Sequence, residues 1–162
     1  MIRTRHGSAV IELANERDVV ITREFDAPAG LVFDVLTKPE HVRRWFFDRE
    51  VKECSIDLWV GGSYRFTTVR DDGTEMSFYG TFLAIEPKTR FTDTWRFDLW
   101  PDAEAVESVV LHEAGGVTKM TDTLSFTTQA GRERMIKSNF GGIQESYDRT
   151  EDLLRSLQGA AA

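Results

Sequence analysis

The stretch that decides the fold runs from Gln129 to Leu157 and reads QAGRERMIKSNFGGIQESYDRTEDLLRSL. Within it, large apolar residues and one threonine recur at alternating steps of four and three, which places side chains on one face of a helix. The residues at these steps are Ile136, Phe140, Ile143, Tyr147, Thr150, Leu154 and Leu157. The spacing predicts one long amphipathic helix whose apolar face the rest of the chain must cover.

Two glycines, Gly141 and Gly142, stand in the centre of this predicted helix. Each costs about 1 kcal/mol relative to alanine in a helix interior, so the pair needs a compensating role. Close packing on a sheet or a kink is one such role, and room for a ligand beneath the helix is the other. The pair alone favours packing, whereas the strand order and the resemblance described below shift the balance towards a cavity.

The sequence before the helix alternates as strands do, with one helical interruption. Ser8 to Phe25 predicts one long or bent first strand, followed by a helix that begins at Pro28 and ends before Pro39. A second short helix is predicted from Glu40 to Trp45. Six further strands are predicted at Val51 to Leu58, Ser63 to Arg70, Met76 to Ile85, Arg90 to Leu99, Val106 to His112 and Thr118 to Thr127.

The links between these six strands are short and rich in turn-forming residues, among them Gly61-Gly62, Asp71-Asp72-Gly73 and Gly115-Gly116. Short links indicate an antiparallel meander. The element order therefore predicts an α+β fold in which a curved antiparallel sheet wraps around the long C-terminal helix, because the sheet needs one apolar face covered. A chain of 162 residues fits one domain. We place it at residues 8–158 and expect frayed termini at 1–7 and 159–162.

Composition excludes several classes of function. Hydrophobic residues make up 41% of the chain and charged residues 29%, as in ordinary globular proteins. A formal net charge of −7 argues against nucleic acid or an anionic membrane as partner. The single cysteine, Cys54, permits no internal disulfide and fits a small strand residue better than a nucleophile. No signal-length or membrane-spanning apolar run is present, so we expect a cytoplasmic protein, as a monomer or a homodimer.

Several stretches, taken in order, resemble a known family. They include TREFDAP (22–28), TKPEH (37–41), RWF (44–46), GGSYRF (61–66) and SYDR (146–149), together with Val32-Phe33, Asp72-Gly73, Gly80, Glu86-Pro87 and Gly115-Gly116. This succession resembles bacterial proteins related to the activator of the heat-shock-protein-90 ATPase, in the START-like, or SRPBCC, superfamily. The resemblance extends from about Asp18 to Leu157 and implies a helix-grip fold with an apolar cavity between sheet and helix.

Bulky residues on the helix face, on the facing strands and on the second short helix are the candidate ligand-binding residues. They are Trp45, Phe46, Tyr64, Phe66, Phe78, Trp95, Phe97, Met120, Phe140, Ile143 and Tyr147. Apolar walls of this kind supply burial for a small molecule, while a few polar groups fix its orientation. The alternative is that these residues form an ordinary core, which is the commoner role of aromatic residues at such spacing.

Two aspartates interrupt the apolar alternation of their strands. Asp93 lies between Phe91 and Trp95, and Asp122 has the same parity as Met120. The resemblance implies large apolar residues at both positions. An inward carboxyl group is expensive unless it is paired, and such groups serve as acids or as polar anchors. A strand bulge would instead leave both in water. Cations able to neutralise them within the pocket are Arg65, Arg96 and Arg134.

Three functions follow from these features. We favour a binding protein for a small hydrophobic or amphipathic molecule. An enzyme of the cyclase or dehydratase kind, with Asp93, Asp122 or Tyr147 as acid or base, is the second, and a chaperone-binding module, which the resemblance implies, is the third. The three histidines are scattered and no phosphate loop or nucleophile motif is present, so we expect no metal and no cofactor.

Overall fold

The predicted sheet and long helix are both present in the computed structural model, which describes residues 6–160 without the side chains of 139–141 and 160. The elements, in chain order, are β1 (Val10–Glu12), β2 (Asp18–Phe25), α1 (Ala29–Thr37), α2 (Pro39–Trp45), β3 (Val51–Ile56), β4 (Ser63–Val69), β5 (Glu75–Glu86), β6 (Arg90–Phe97), β7 (Glu104–Ala114), β8 (Val117–Phe126) and α3 (Gln129–Ala160).

The strands form one curved antiparallel sheet in the order β1-β2-β8-β7-β6-β5-β4-β3. Strands β3 to β8 follow one another as a meander, and β2 pairs along the whole of β8, from Asp18 opposite Ser125 to Phe25 opposite Thr118. The concave face of the sheet carries the large buried side chains and is covered by α3. This arrangement confirms the predicted α+β, helix-grip architecture.

The prediction of one long first strand is wrong. The segment forms two strands, β1 and β2, which pair antiparallel with Val10 opposite Thr22. Asn15 explains the reversal, because its Oδ1 accepts hydrogen bonds from the backbone N–H groups of Arg17 (2.8 Å) and Asp18 (2.9 Å). Asparagine side chains commonly stabilise tight turns in this way.

The remaining boundaries move by one to three residues. Pro28 is extended, with φ −70° and ψ 153°, so α1 begins one residue after the predicted start. At the other end, α3 continues through 159–160, which the sequence analysis placed in a frayed tail. At the N-terminus His6 and Gly7 are hydrogen-bonded to Asp152 and Asp148 of α3. Residues 1–5 and 161–162 lie outside the described residues.

Glycine residues permit a tight turn at one place in the sheet and a close approach of two strands at another. The predicted turn at Gly115-Gly116 is confirmed, and both residues adopt positive φ angles of 59° and 78°, which favour glycine. Within β5, Gly80 lies so close to β6 that a Cβ atom there would stand 1.8 Å from the Thr94 carbonyl oxygen. The pairing of β5 with β6 also shifts register between Phe82 and Ala84. The sheet is therefore locally irregular between β5 and β6.

Contacts from its middle onwards hold α3 against the sheet and α2. The Tyr147 ring stacks on Trp45 with centroids 6.1 Å apart and meets the edge of Phe25 at 6.2 Å. Arg149 Nε donates a 2.9 Å hydrogen bond to the Trp45 carbonyl oxygen. Two turns after Tyr147, Leu154 is 1% exposed.

Candidate functional site

A cavity of about 560 Å³ lies between the concave face of the sheet and the helices α2 and α3, and it is partly open to solvent. Sites for small molecules commonly have volumes of about 300–1,000 Å³. Gly142 lines this cavity from α3, which agrees with the cavity-forming role considered for the glycine pair. Lining residues that are themselves exposed mark the opening: Asp48, Arg70, Ser138 and Glu145.

Aromatic side chains form one wall of the cavity. Phe46 of the segment after α2 packs on Phe66 and Phe78 at centroid distances of 4.9 and 5.2 Å. Phe78 in turn stacks on Phe97 at 4.4 Å and contacts Trp95 at 5.7 Å. Rings that pack on one another in this way fix the shape of the wall and present apolar surface to the void.

Three carboxyl groups from adjacent strands also line the cavity. They belong to Asp93 on β6, Glu107 on β7 and Asp122 on β8. Asp93 is the cross-strand partner of Glu107, and Glu107 lies within hydrogen-bonding reach of both aspartates. Asp93 is 2% exposed and Asp122 is 4% exposed. We call these three residues the carboxyl cluster.

A tyrosine hydroxyl approaches each end of the carboxyl cluster. Tyr64 Oη lies 3.2 Å from Asp93 Oδ1 and 2.7 Å from the Thr94 carbonyl oxygen. At the other end Tyr147 Oη donates to Asp122 Oδ2 at 2.9 Å. The result is a continuous polar line, Tyr64, Asp93, Glu107, Asp122 and Tyr147, that crosses the lining from β4 to α3.

Burial changes the acid–base behaviour of this line. It raises the pKa of the Asp93 and Glu107 carboxyl groups well above the ordinary range, and the charge of Asp122 raises both further. Burial also raises the pKa of Asp122, against hydrogen bonds from Glu107 and Tyr147 that lower it. The pKa values of Tyr64 and Tyr147 rise well above the usual range for the same reason, burial, with the carboxyl charges adding to it. The carboxyl cluster therefore holds protons at pH values where exposed carboxyl groups are ionised.

The three arginines considered as partners for the aspartates are engaged elsewhere, so that alternative does not apply. Arg65 stacks over the Tyr79 ring at 4.9 Å, on the other side of the strands from Tyr64 and Phe66. Arg96 pairs with Glu104 at 2.6 Å. Arg134 pairs with Asp102 at 3.1 Å. Each aspartate is flanked by hydroxyl and carboxyl groups instead.

All but one of the predicted ligand-binding residues line the cavity. Phe140 is the exception, because its side chain lies outside the described part of the chain. The other ten are Trp45, Phe46, Tyr64, Phe66, Phe78, Trp95, Phe97, Met120, Ile143 and Tyr147. Asp93 and Asp122 also line it, as inward parity predicted, and the bulge alternative does not apply to them.

Further residues that the sequence did not predict also line the cavity. The most important is Glu107, and others include Ile21, Leu36, Phe47, Phe82, Phe91, Val109, Leu124 and Met135. In the structure Glu107 lies on the same face of β7 as Ala105, Val109 and Leu111, all of which are buried.

Other candidate chemistry finds no support in the described residues. Burial raises the pKa of the Cys54 thiol to about 11, so the thiolate nucleophile is disfavoured. Within residues 6–160 no group of three or more His, Cys, Asp or Glu side chains is arranged to hold a metal ion. In the same part of the chain no helix is long and apolar enough to cross a membrane.

Comparison with known proteins assigns the chain to a family. The model of the family described as Activator of Hsp90 ATPase homolog 1-like protein matches residues 26–155. The chain belongs to this family. This member of the Hsp90 ATPase activator homologue family is 23% identical over 147 residues to the uncharacterized protein C1711.08 of Schizosaccharomyces pombe. The match covers 88% of the chain but only 38% of that relative.

Solved structures resemble this family member over nearly its whole length. A Rhodobacter sphaeroides protein superposes with a TM-score of 0.84 at 21% identity, over 92% of this chain and 99% of that one. Protein NE0264 from Nitrosomonas europaea superposes with a TM-score of 0.78 at 23% identity, over 90% and 98% of the two chains. At these identities the likeness shows the fold alone.

Proposed function

We propose that this protein binds one small amphipathic molecule in the cavity between the sheet and α3. The observation that carries the proposal is the pairing, in one void of about 560 Å³, of an aromatic wall with a buried line of carboxyl and hydroxyl groups. An apolar part of a ligand would pack on Phe46, Phe78 and Trp95. Its polar part would hydrogen-bond to the carboxyl cluster, which an entirely apolar ligand would leave facing hydrocarbon at a free-energy cost.

The first experiment identifies what the cavity retains. The purified protein is sprayed from a volatile buffer for native mass spectrometry, and any adduct is released and its mass measured. A stoichiometric small-molecule adduct of amphipathic character supports the proposal. This measurement requires no prior choice of ligand.

The second experiment tests the location with phenylnaphthylamine, a neutral probe whose fluorescence rises in apolar surroundings. Wild-type protein is expected to bind it saturably. Gly142→Leu places a side chain in the void, so affinity should fall at least about tenfold. Gly159→Leu is the matched control, because a Cβ at Gly159 in the same helix meets no atom within 4 Å. Absence of saturable binding, or equal binding by both variants, would contradict the proposal.

A second candidate function is acid–base catalysis on the bound molecule. The observation that favours it is that Tyr64 and Tyr147 bracket three carboxyl groups with raised pKa values in one cavity. A group that holds its proton near neutral pH can donate it to a bound ligand and take it back. The test is deuterium incorporation into a retained ligand in D₂O, by wild type and by Glu107→Gln. Incorporation by both at equal rates, or by neither, would contradict a catalytic role for the carboxyl cluster. Ligand binding would then be the one proposed function that remains.

A further inference from the structure

We propose that the carboxyl cluster selects amphipathic ligands whose polar end is a protonated amine over neutral ligands of the same shape. This inference rests on the proposed function, since it specifies the class of molecule that the cavity binds. It is carried by the geometry of the carboxyl cluster and by the distribution of charge around the cavity.

The carboxyl cluster presents acceptors to the void without a cation of its own. The described arginines considered above pair at the surface or stack on the far side of the sheet. Arg23 influences Tyr147 and its Nη1 donates to Asp148 Oδ1 at 2.9 Å, but none of its described hydrogen bonds reaches the carboxyl cluster. An ammonium group, with three N–H donors, would supply the positive charge and the donors that the surrounding residues lack.

Asp122 provides a specific position for such a donor. Its Oδ2 accepts from Tyr147, whereas its buried Oδ1 has no hydrogen-bond partner among the described residues apart from the neighbouring Glu107 carboxyl group. A buried carboxyl oxygen with an unsatisfied lone pair is unfavourable. An N–H group of a ligand that reached this atom would remove that penalty, so ligand affinity would gain directly from the contact.

The surroundings of the carboxyl cluster also suit a cation. The centroid of the Tyr64 ring lies 5.1 Å from that of the Phe66 ring and 5.7 Å from that of the Phe82 ring. Aromatic faces attract cations within about 6 Å of the ring centroid. The net charge of −7 raises the local concentration of cations and lowers that of anions. The opening carries Asp48 and Glu145 beside one exposed arginine, Arg70.

Charge balance gives the proposal a measurable signature. Without a ligand, the carboxyl cluster reduces repulsion by holding protons. When an ammonium group binds, its positive charge offsets the repulsion between the carboxylates. One proton is therefore released from the carboxyl cluster to the solvent for each amine bound. Amine affinity therefore rises with pH until the amine itself loses its proton, whereas the affinity of a neutral ligand does not require proton release.

The experiment compares phenylbutylamine with phenylbutanol, which have the same apolar part and nearly the same length. Isothermal titration calorimetry is carried out at mildly alkaline pH in phosphate and in Tris, whose ionisation enthalpies differ. We expect the amine to bind at least about tenfold more tightly than the alcohol, a difference of about 1.4 kcal/mol. The buffer dependence of the enthalpy is expected to show proton release for the amine alone.

Two variants connect the selectivity to the carboxyl cluster. Asp93→Asn and Glu107→Gln keep side-chain size but remove an ionisable group, so in each variant the ratio of phenylbutylamine affinity to phenylbutanol affinity should fall towards one. Glu104→Gln is the matched control on the same strand, because Glu104 pairs with Arg96 at the surface. It should leave the preference unchanged.

The outcomes separate this inference from the function on which it rests. If phenylbutanol or the neutral probe binds and the amine binds no better, the amine selectivity is wrong and the proposed binding function stands. Amine preference that survives in both Asp93→Asn and Glu107→Gln would also overturn it. If the neutral probe, the alcohol and the amine all fail to bind, both proposals are wrong.

Discussion

Tyr147 Oη donates a 2.9 Å hydrogen bond to Asp122 Oδ2 and so joins the middle of α3 to β8 across the cavity lining. Both residues are buried. The contact satisfies a carboxyl oxygen that solvent barely reaches. It also fixes the height of the helix above the sheet, and hence the depth of the cavity.

Replacing Tyr147 with phenylalanine keeps the ring contacts with Trp45 and Phe25 but removes this donor. Because a buried acceptor loses its partner, the free energy of unfolding should fall by about 1–3 kcal/mol in urea titrations. Tyr79→Phe is the matched control, since that ring lies against Arg65 on the other side of the strands. Equal losses in the two variants would show that the hydroxyl of Tyr147 has no special role in stability.

The carboxyl cluster predicts an unusual dependence of stability on pH. Burial raises the pKa of Asp93, Glu107 and Asp122 in the folded chain, so over the pH range above the ordinary carboxyl pKa the folded state binds more protons than the unfolded state. Stability should therefore decrease as pH rises from the ordinary carboxyl range through the folded-state pKa values.

Urea unfolding at a series of pH values measures this slope. Glu107→Gln removes one of the ionisable groups, and the slope should become shallower while stability at the upper end of the range increases. Glu104→Gln, on the exposed side of the same strand, should keep the wild-type slope. Wild-type and Glu107→Gln curves that run parallel would contradict the assignment of the pH dependence to the carboxyl cluster.

Periodicity was sufficient to predict the order of most strands and helices and part of the cavity lining. The steps of four and three in α3 identified Ile143 and Tyr147, and parity in β6 and β8 placed Asp93 and Asp122 inward. The same parity argues against Arg96 as a partner for Asp93, since the two stand on opposite faces of β6.

Glu107 was harder to find because β7 carries apolar residues on both faces. Val109 and Leu111 are buried, but Val106 and Val110 are 41% and 42% exposed, so alternation alone does not decide which face is inward. The hairpin between β1 and β2 was missed for a different reason. It depends on the hydrogen bonds of one side chain, Asn15, to the backbone, and such bonds leave no periodic signal.

Neutralising one residue of a buried ion pair should lower stability much more than neutralising one residue of an exposed pair. The Arg23 side chain is 0% exposed and its Nη1 lies 2.9 Å from Asp148 Oδ1. Asp148→Asn would leave the guanidinium buried without its carboxylate, and losing one partner of a buried pair lowers the free energy of unfolding by about 3–5 kcal/mol. Glu104→Gln breaks a pair whose side chains are 46% and 42% exposed, and it should change stability by less than about 1 kcal/mol.

The double variant Arg23→Met with Asp148→Leu distinguishes charge burial from simple loss of contact. It removes both charges and keeps comparable volume, so it should recover much of the stability lost in Asp148→Asn. Chemical unfolding of the three variants against wild type gives the comparison. A double variant less stable than Asp148→Asn would indicate that packing, rather than the uncompensated charge, governs this position.

Gly80 offers a test of how closely β5 must approach β6. An alanine Cβ at this position would stand 1.8 Å from the Thr94 carbonyl oxygen and 2.8 Å from its carbonyl carbon, so the backbone of β6 would have to move. That strand carries Asp93 and Trp95 into the cavity. Gly80→Ala should therefore lower the free energy of unfolding by about 3 kcal/mol, the upper end of common single substitutions. It should also weaken binding of phenylnaphthylamine.

The matched control is Gly30→Ala in α1, where the new Cβ would meet Lys88 Cδ at an ordinary 3.6 Å. Since alanine is favoured over glycine in helices by about 1 kcal/mol, this variant should be as stable as wild type or more so, with unchanged probe binding. Thermal unfolding and the fluorescence titration are measured on both variants. If Gly80→Ala matches Gly30→Ala in both, β6 can shift without cost, and the shape of the cavity does not depend on this close approach.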